Sequence, residues 1–282
     1  MRGLPEPSTI EIRNIACLAT PQGTTARRGR QQGEILRLTE AAVRAEDGRI
    51  VFVGSDKEYT RRYAGRRATV SIDATGKTVV PGLVDAHTHP VWAGDRSEEI
   101  ARRLAGESYA QIAAAGGGIA STVRATRAAS DGELEAAVSG RLARMLACGT
   151  TTVEAKSGYG LTVDDELRAL RLLASLAGEG PRIVPTLLAA HEIPPEFRDR
   201  REDWIETIVS EIIPAAAAED LARFCDVFCD EGVFTVDESR RILEAARRAG
   251  LGLRIHADEL VRSGGAFLAA ELRAESADHL LS

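Results

Sequence analysis

What the 282 residues lack narrows the field before any motif is met. No uninterrupted apolar stretch is long enough to span a bilayer, and the opening "MRGLPEPSTIEIRN" holds no apolar run of signal-peptide length. No membrane association is expected, and the cytoplasm is the expected compartment. Cysteine occurs only at Cys17, Cys148, Cys225 and Cys229, which do not make a disulfide framework in a chain this long. Cys225 and Cys229 flank "DVF" in an apolar stretch and read as buried free thiols, because unpaired cysteine behaves as a small hydrophobe. The net charge is −6 and nothing gathers positive charge into one stripe, so no nucleic-acid or acidic-membrane partner is expected. Lysine is nearly absent: Lys57, Lys77 and Lys156 stand among 36 basic residues, the rest being arginine. That skew carries no function as a whole, but it singles out each remaining lysine. Histidine numbers five.

What is present reads as a soluble globular protein, with 44% hydrophobic and 28% charged residues and enough chain for a full-sized core. Residues 8–80 read as β. "TIEIRNIACLAT" alternates early on, "AAVRAEDGRIVFVGS" is a hairpin turning at Asp47-Gly48, and "ATVSIDATGKTVVPG" adds another extended pair about Gly76. Between them "PQGTTARRGRQQGEIL" is polar and glycine-bearing, a loop. Beyond residue 80, short apolar runs such as "TTTVEAK", "RIVPTLLAA", "FCDVFC" and "LGLRI" alternate with helix-period segments. One of these, "TVDDELRALRLLASLAG", places Leu167, Leu170, Ala174 and Ala177 on one face, with Asp164 and Asp165 at the positive end of its dipole. Such alternation gives an α/β fold with a parallel sheet, about six strands of a barrel-type series. The domains expected are a small sheet module over 1–80 and the barrel over 81–282.

The polar residues of these strands collect where each one stops. They are Asp85, His87 and His89; Glu154, Lys156 and Tyr159; His191 and Glu192; Asp230 and Glu231; His256, Asp258 and Glu259; Asp278 and His279. All five histidines belong to the set. In a parallel (β/α) barrel the C-terminal strand ends face one mouth, where active sites are built, so one convergent polar site is expected. Side chains two apart on a strand point the same way, so His87 and His89 can reach one metal ion, with His256 as third ligand. Neutral imidazoles suit zinc or another borderline divalent metal. Glu259 either relays a proton at a metal-activated water or makes a structural salt bridge. His279 either polarises a carbonyl or completes that relay, and Asp278 either orients His279 or faces solvent. "AAAGGGIASTVRATR" lacks the phosphate-loop pattern and follows no strand, which excludes a dinucleotide fingerprint.

"PGLVDAHTHPVWAGDR", "GESYAQIAAAGGGIASTVRATR", "TTVEAKSGYGL", "HADEL" and "SADHL", in this order, resemble the imidazolonepropionases of the metal-dependent amidohydrolase superfamily. The resemblance runs through nearly all of the chain. It implies a (β/α)8 TIM-type barrel, here incomplete, with a small β-sandwich module, one zinc or iron ion, and hydrolysis of 4-imidazolone-5-propanoate to N-formimino-L-glutamate in histidine degradation. It implies His87, His89 and His256 as metal ligands, Glu259 and His279 as catalytic residues, and Arg96, Tyr109, Tyr159 and His191 as substrate contacts. A homodimer is among the assemblies it allows. An arginine suits a propanoate tail because its guanidinium binds a carboxylate bidentately. Lys156 either bridges barrel carboxylates or is structural. Members of the family run on past this length, and the resemblance places there the last two barrel strands, the closing sandwich strands and an aspartate that is the fourth metal ligand and the general base. These 282 residues alone are therefore expected to be poorly stable and little active. Two alternatives are a hydrolase or deaminase acting on another heterocycle, and a non-catalytic barrel kept for binding.

Overall fold

The computed structural model describes residues 8–25, 27–108, 111–112 and 115–282. It divides into two compact units, Met1–Gly82 and Leu83–Ser282. The smaller unit is one mixed sheet of β1 (Thr9–Pro21), β2 (Ile35–Glu46), β3 (Arg49–Ser55), β4 (Val70–Asp73) and β5 (Thr78–Val79). The β2–β3 hairpin turns at Asp47 and Gly48, both at positive φ, where aspartate and glycine are tolerated. The two extended segments about Gly76 do not pair with each other: β4 and β5 both run parallel to β1. One sheet face buries Ile15, Leu18, Ala41 and Ala74. A helix, Asp56–Arg62, packs Tyr59 and Tyr63 against Phe52 and Ala42.

The larger unit is a six-stranded parallel sheet whose spatial order follows the chain: β6 (Leu83–Thr88), β7 (Thr150–Lys156), β8 (Arg182–Ala190), β9 (Phe224–Cys229), β10 (Gly252–Ala257) and β11 (Ser276–His279). Among the described residues β6 and β11 are not paired, yet the sheet curls far enough for their side chains to meet. Helices cover its outside and are started by local chemistry. Ser130 with Glu133, and Thr235 with Glu238, form capping boxes for Asp131–Ala147 and Val236–Arg248, and Thr162 caps Val163–Ser175. On Val163–Ser175 the buried stripe carries Leu167 and Leu170, but it continues through Leu173 and Leu176; Ala174 and Ala177 face solvent. The larger leucines, with more apolar area to bury, set the helix rotation. No helix among the described residues is long and apolar enough to cross a membrane.

Candidate active site

The strand ends converge as a parallel barrel requires. Between β6 and β7 the register shifts by one residue between Asp85 and Thr88, a bulge at the point where His87 leaves the strand. After it, Arg141 donates to the carbonyls of Pro90 (2.8 Å) and Trp92 (2.7 Å), with its guanidinium over the Trp92 ring, and so fixes the "HPVW" exit. His87 and His89 thereby face His256 of β10. His89 Nε2 lies 3.3 Å from His87 Nε2 and 3.3 Å from His256 Nε2. A tetrahedral ion bound to imidazole nitrogens at 2.0–2.1 Å sets neighbouring donors about 3.3 Å apart, so the spacing fits a zinc-like ion.

The backs of two of these rings meet carboxylates. His87 Nδ1 is 2.9 Å from Asp278 Oδ2, and His256 Nδ1 is 3.0 Å from Asp226 Oδ2. The Asp278 carboxylate hydrogen-bonds His87 Nδ1, holds the ring proton there and leaves the Nε2 lone pair for a metal, the usual support for a ligating histidine; Asp226 stands close to His256 Nδ1 but is not aligned for a hydrogen bond with it. Asp278 thus serves His87, not His279. His89 Nδ1 is buried without a hydrogen-bond partner among the described residues. Burial, then the neighbouring histidines, holds the His89 imidazole well below its usual pKa, which keeps it a neutral donor.

Beneath the histidines the interior is charged. Lys156 Nζ is wholly buried, 2.7 Å from Asp226 Oδ2, 2.9 Å from Glu154 Oε1 and 3.7 Å from Asp278 Oδ2. Lys156 therefore bridges carboxylates from three strands. Burial works against charge on each of these groups, but attraction outweighs it: Lys156 is raised, and Asp226 and Asp278 are lowered, from their ordinary values. Asp226 escaped the strand-end pattern because it sits inside "FCDVFC". One charged residue in an otherwise apolar, wholly buried strand was nonetheless a signal, since a buried charge needs a partner.

Around this centre the remaining polar residues take definite places. His279 Nε2 is 3.3 Å from Glu259 Oε2, and the His279 ring is 5.0 Å from His87 and 5.1 Å from His256. Buried Asp230 positions the Glu259 turn by accepting from the backbone N–H groups of Glu259 (2.9 Å), Leu260 (2.7 Å) and Val261 (3.3 Å). Asp258, at positive φ, accepts from Ser263, Gly264 and Gly265 at the start of helix Gly265–Glu271. The His191 ring lies 5.1 Å from His89, tilted by 31°, and the Tyr159 ring lies 5.9 Å from His89 and 5.1 Å from His191. His191 Nδ1 is 2.8 Å from the Gly158 carbonyl. A carbonyl can only accept, so Nδ1 carries the proton and Nε2 is left as an acceptor. Burial pushes the His191 pKa down to about 4, and the proximity of the His256 ring works in the same direction.

The "KSGYGL" segment has a physical reason for each glycine. A Cβ on Gly158 would meet His191 Nδ1 and the Leu188 carbonyl at 3.0 Å, at φ +105; one on Gly160 would meet Asp165 at 2.7 Å. Glu166, buried on the next helix, accepts from the backbone N–H groups of Gly158 (3.0 Å), Gly160 (2.9 Å) and Leu161 (2.8 Å) and so shapes the loop that carries Tyr159. Arg96 and Tyr159 line one cavity of about 390 Å³ with Trp92, Glu99 and Thr122. In it Arg96 Nε and Nη2 donate to Glu99 Oε2 at 3.0 and 2.8 Å, while Glu99 Oε1 accepts from Gly118 N at 2.7 Å. The glycine-rich "AGGGI" stretch thus holds a carboxylate of the protein. Tyr109 lies outside the described residues.

No family model matches the chain. Curated relatives do. An imidazolonepropionase of Symbiobacterium thermophilum is 53% identical over 257 residues, 90% of this chain and 60% of the relative. One of Porphyromonas gingivalis is 45% identical over 100% of this chain and 67% of the relative. The chain spans 57% to 67% of the length of such relatives. Among solved structures, an amidohydrolase from a Sargasso Sea environmental sample aligns with a TM-score of 0.54 at 18% identity, over 93% of this chain and 55% of that one. That likeness shows the amidohydrolase fold.

Proposed function

The chain belongs to the imidazolonepropionase family, and from that premise we propose that the protein hydrolyses 4-imidazolone-5-propanoate to N-formimino-L-glutamate. The observation that carries the reading is the convergence of three imidazole Nε2 atoms at 3.3 Å spacings, beside the Glu259–His279 pair and the cavity of Arg96 and Tyr159. His87, His89 and His256 would hold one zinc or iron ion. When bound, that ion supplies Lewis acidity and activates water at neutral pH.

The chain's own residues do the rest. Glu259 accepts the proton of the attacking water as the new C–O bond forms at the ring carbonyl carbon. His279, 3.3 Å from Glu259, passes it to the ring nitrogen as the C–N bond breaks, which opens the ring. His191, an acceptor at Nε2, takes a hydrogen bond from a ring N–H. Tyr159 packs beside it, and Arg96 exchanges Glu99 for the substrate propanoate, a bidentate match. Three converging imidazoles beside the Glu259–His279 pair speak against the binding-only barrel. As a step of histidine degradation, the reaction is proposed to run in the cytoplasm.

The test is a comparison of substrates. Imidazolonepropanoate is expected to turn over well above hydantoin, cytosine or guanine, and Arg96→Ala to raise KM for the carboxylate-bearing substrate more than it lowers kcat. Equal or faster turnover of guanine or cytosine would overturn the reading.

A further inference from the structure

One lysine touches the support of two metal ligands at once. Asp226 Oδ2 is shared between Lys156 Nζ (2.7 Å) and His256 Nδ1 (3.0 Å), and Asp278 Oδ2 between Lys156 Nζ (3.7 Å) and His87 Nδ1 (2.9 Å). We propose that Lys156 is a positioning residue for the metal centre, whose ammonium holds from one point the two carboxylate oxygens that face Nδ1 of His87 and of His256. The inference rests on the metal reading above and goes beyond it.

The chemistry follows from what a ligating imidazole needs. Its Nε2 offers a lone pair only while the ring proton is on Nδ1, and there that proton needs an acceptor. An ionised carboxylate is such an acceptor, but two of them, with Glu154 nearby, repel one another in a buried space. The wholly buried ammonium is the counter-charge, 2.9 Å from Glu154 as well. It also lies against Asp226 and Asp278, which with His256 form the second cluster of metal-capable groups among the described residues. A compact ammonium meets oxygens from three strands at a single point, whereas a planar guanidinium is wider and directional. This explains why a chain that uses arginine almost throughout keeps lysine here.

A merely structural lysine would stabilise the fold without setting tautomers, and the test separates the two. The metal-free protein is titrated with zinc alone against a competing chelator, and the histidine tautomers are read from the ¹⁵N shifts of the metal-free state. The variants are Lys156→Met, the charge-balanced pair Lys156→Met with Glu154→Gln, which keeps the test alive if the first does not fold, and Glu154→Gln alone. Glu154 contacts Lys156 and accepts from the Thr88 N–H but touches no histidine ring, so its variant should lose less zinc affinity than either lysine variant and keep the Nδ1–H tautomers. Both lysine variants should bind zinc about 10- to 100-fold more weakly, the usual cost of losing a ligand's support, and should shift His87 and His256 toward Nε2–H. A folded lysine variant with wild-type tautomers and affinity overturns the inference. Wild-type protein that binds no zinc while His87 and His256 stay Nδ1–H fails the metal reading instead and leaves the tautomer comparison standing.

Discussion

Charges pair at two depths of the larger unit, and the two depths use different residues. On the surface the cation is arginine: Arg171 with Glu219, Arg240 with Glu271, Arg241 with Glu202 and Glu206. Inside the sheet it is Lys156, with Glu154 and Asp226 all but removed from solvent. A surface pair gains little, because water and salt screen it and two long side chains lose freedom. A buried cluster costs desolvation on every member, and an apolar replacement would often be as stable. What such a replacement cannot do is face two imidazole Nδ1 atoms with carboxylates. The difference teaches that two interior carboxylates, Asp226 and Asp278, stand against histidines of the centre, while these surface pairs touch none.

The comparison breaks most sharply at the interior. Lys156→Met leaves carboxylates buried without their counter-charge, and it should destabilise the metal-free protein by about 3–5 kcal/mol in urea unfolding. Next in size is a pH effect. His191 is held near pKa 4 in the folded state against about 6.5 unfolded, so its neutral form is favoured by folding. Its contribution is intact above pH 6.5 and is lost as the pH falls toward 4, about 3 kcal/mol in all, and His191→Phe should flatten that limb of a stability–pH profile. Glu166→Gln, which removes the charge accepting three backbone N–H groups, should cost about 1.5–3 kcal/mol and raise KM through the Tyr159 loop. The smallest effect sharpens the contrast: Arg171→Ala should leave the unfolding midpoint and the zinc affinity where they were.

Much of the centre was legible because strand geometry is local. The two-residue period of His87 and His89, and the arrival of His256 after an apolar run, needed only the pleat and the barrel's polarity. The partners were not legible, since they depend on which distant strands lie across the interior. Asp226 is 70 residues from Lys156, and Asp278 is 191 residues from His87. Adjacency offers Asp278 either His279 or solvent, but the strand curl presents it to His87. The pairing of β4 and β5 with β1 was hidden for the same reason: a turn at Gly76 suggests a hairpin, and only the longer β1 offers both segments a parallel edge. The six parallel strands themselves followed from the alternation of apolar runs and helix-period segments, and that reading matches the sheet order.

X-ray absorption at the metal edge of protein loaded with one equivalent of zinc tests the centre most directly. His87, His89 and His256 offer three imidazole nitrogens, while the neighbouring Asp226, His256 and Asp278 offer one imidazole and two carboxylates. Three imidazole nitrogens at about 2.0–2.1 Å are expected, lost on His256→Ala. A shell dominated by carboxylate oxygen, or no stoichiometric zinc, would contradict the account.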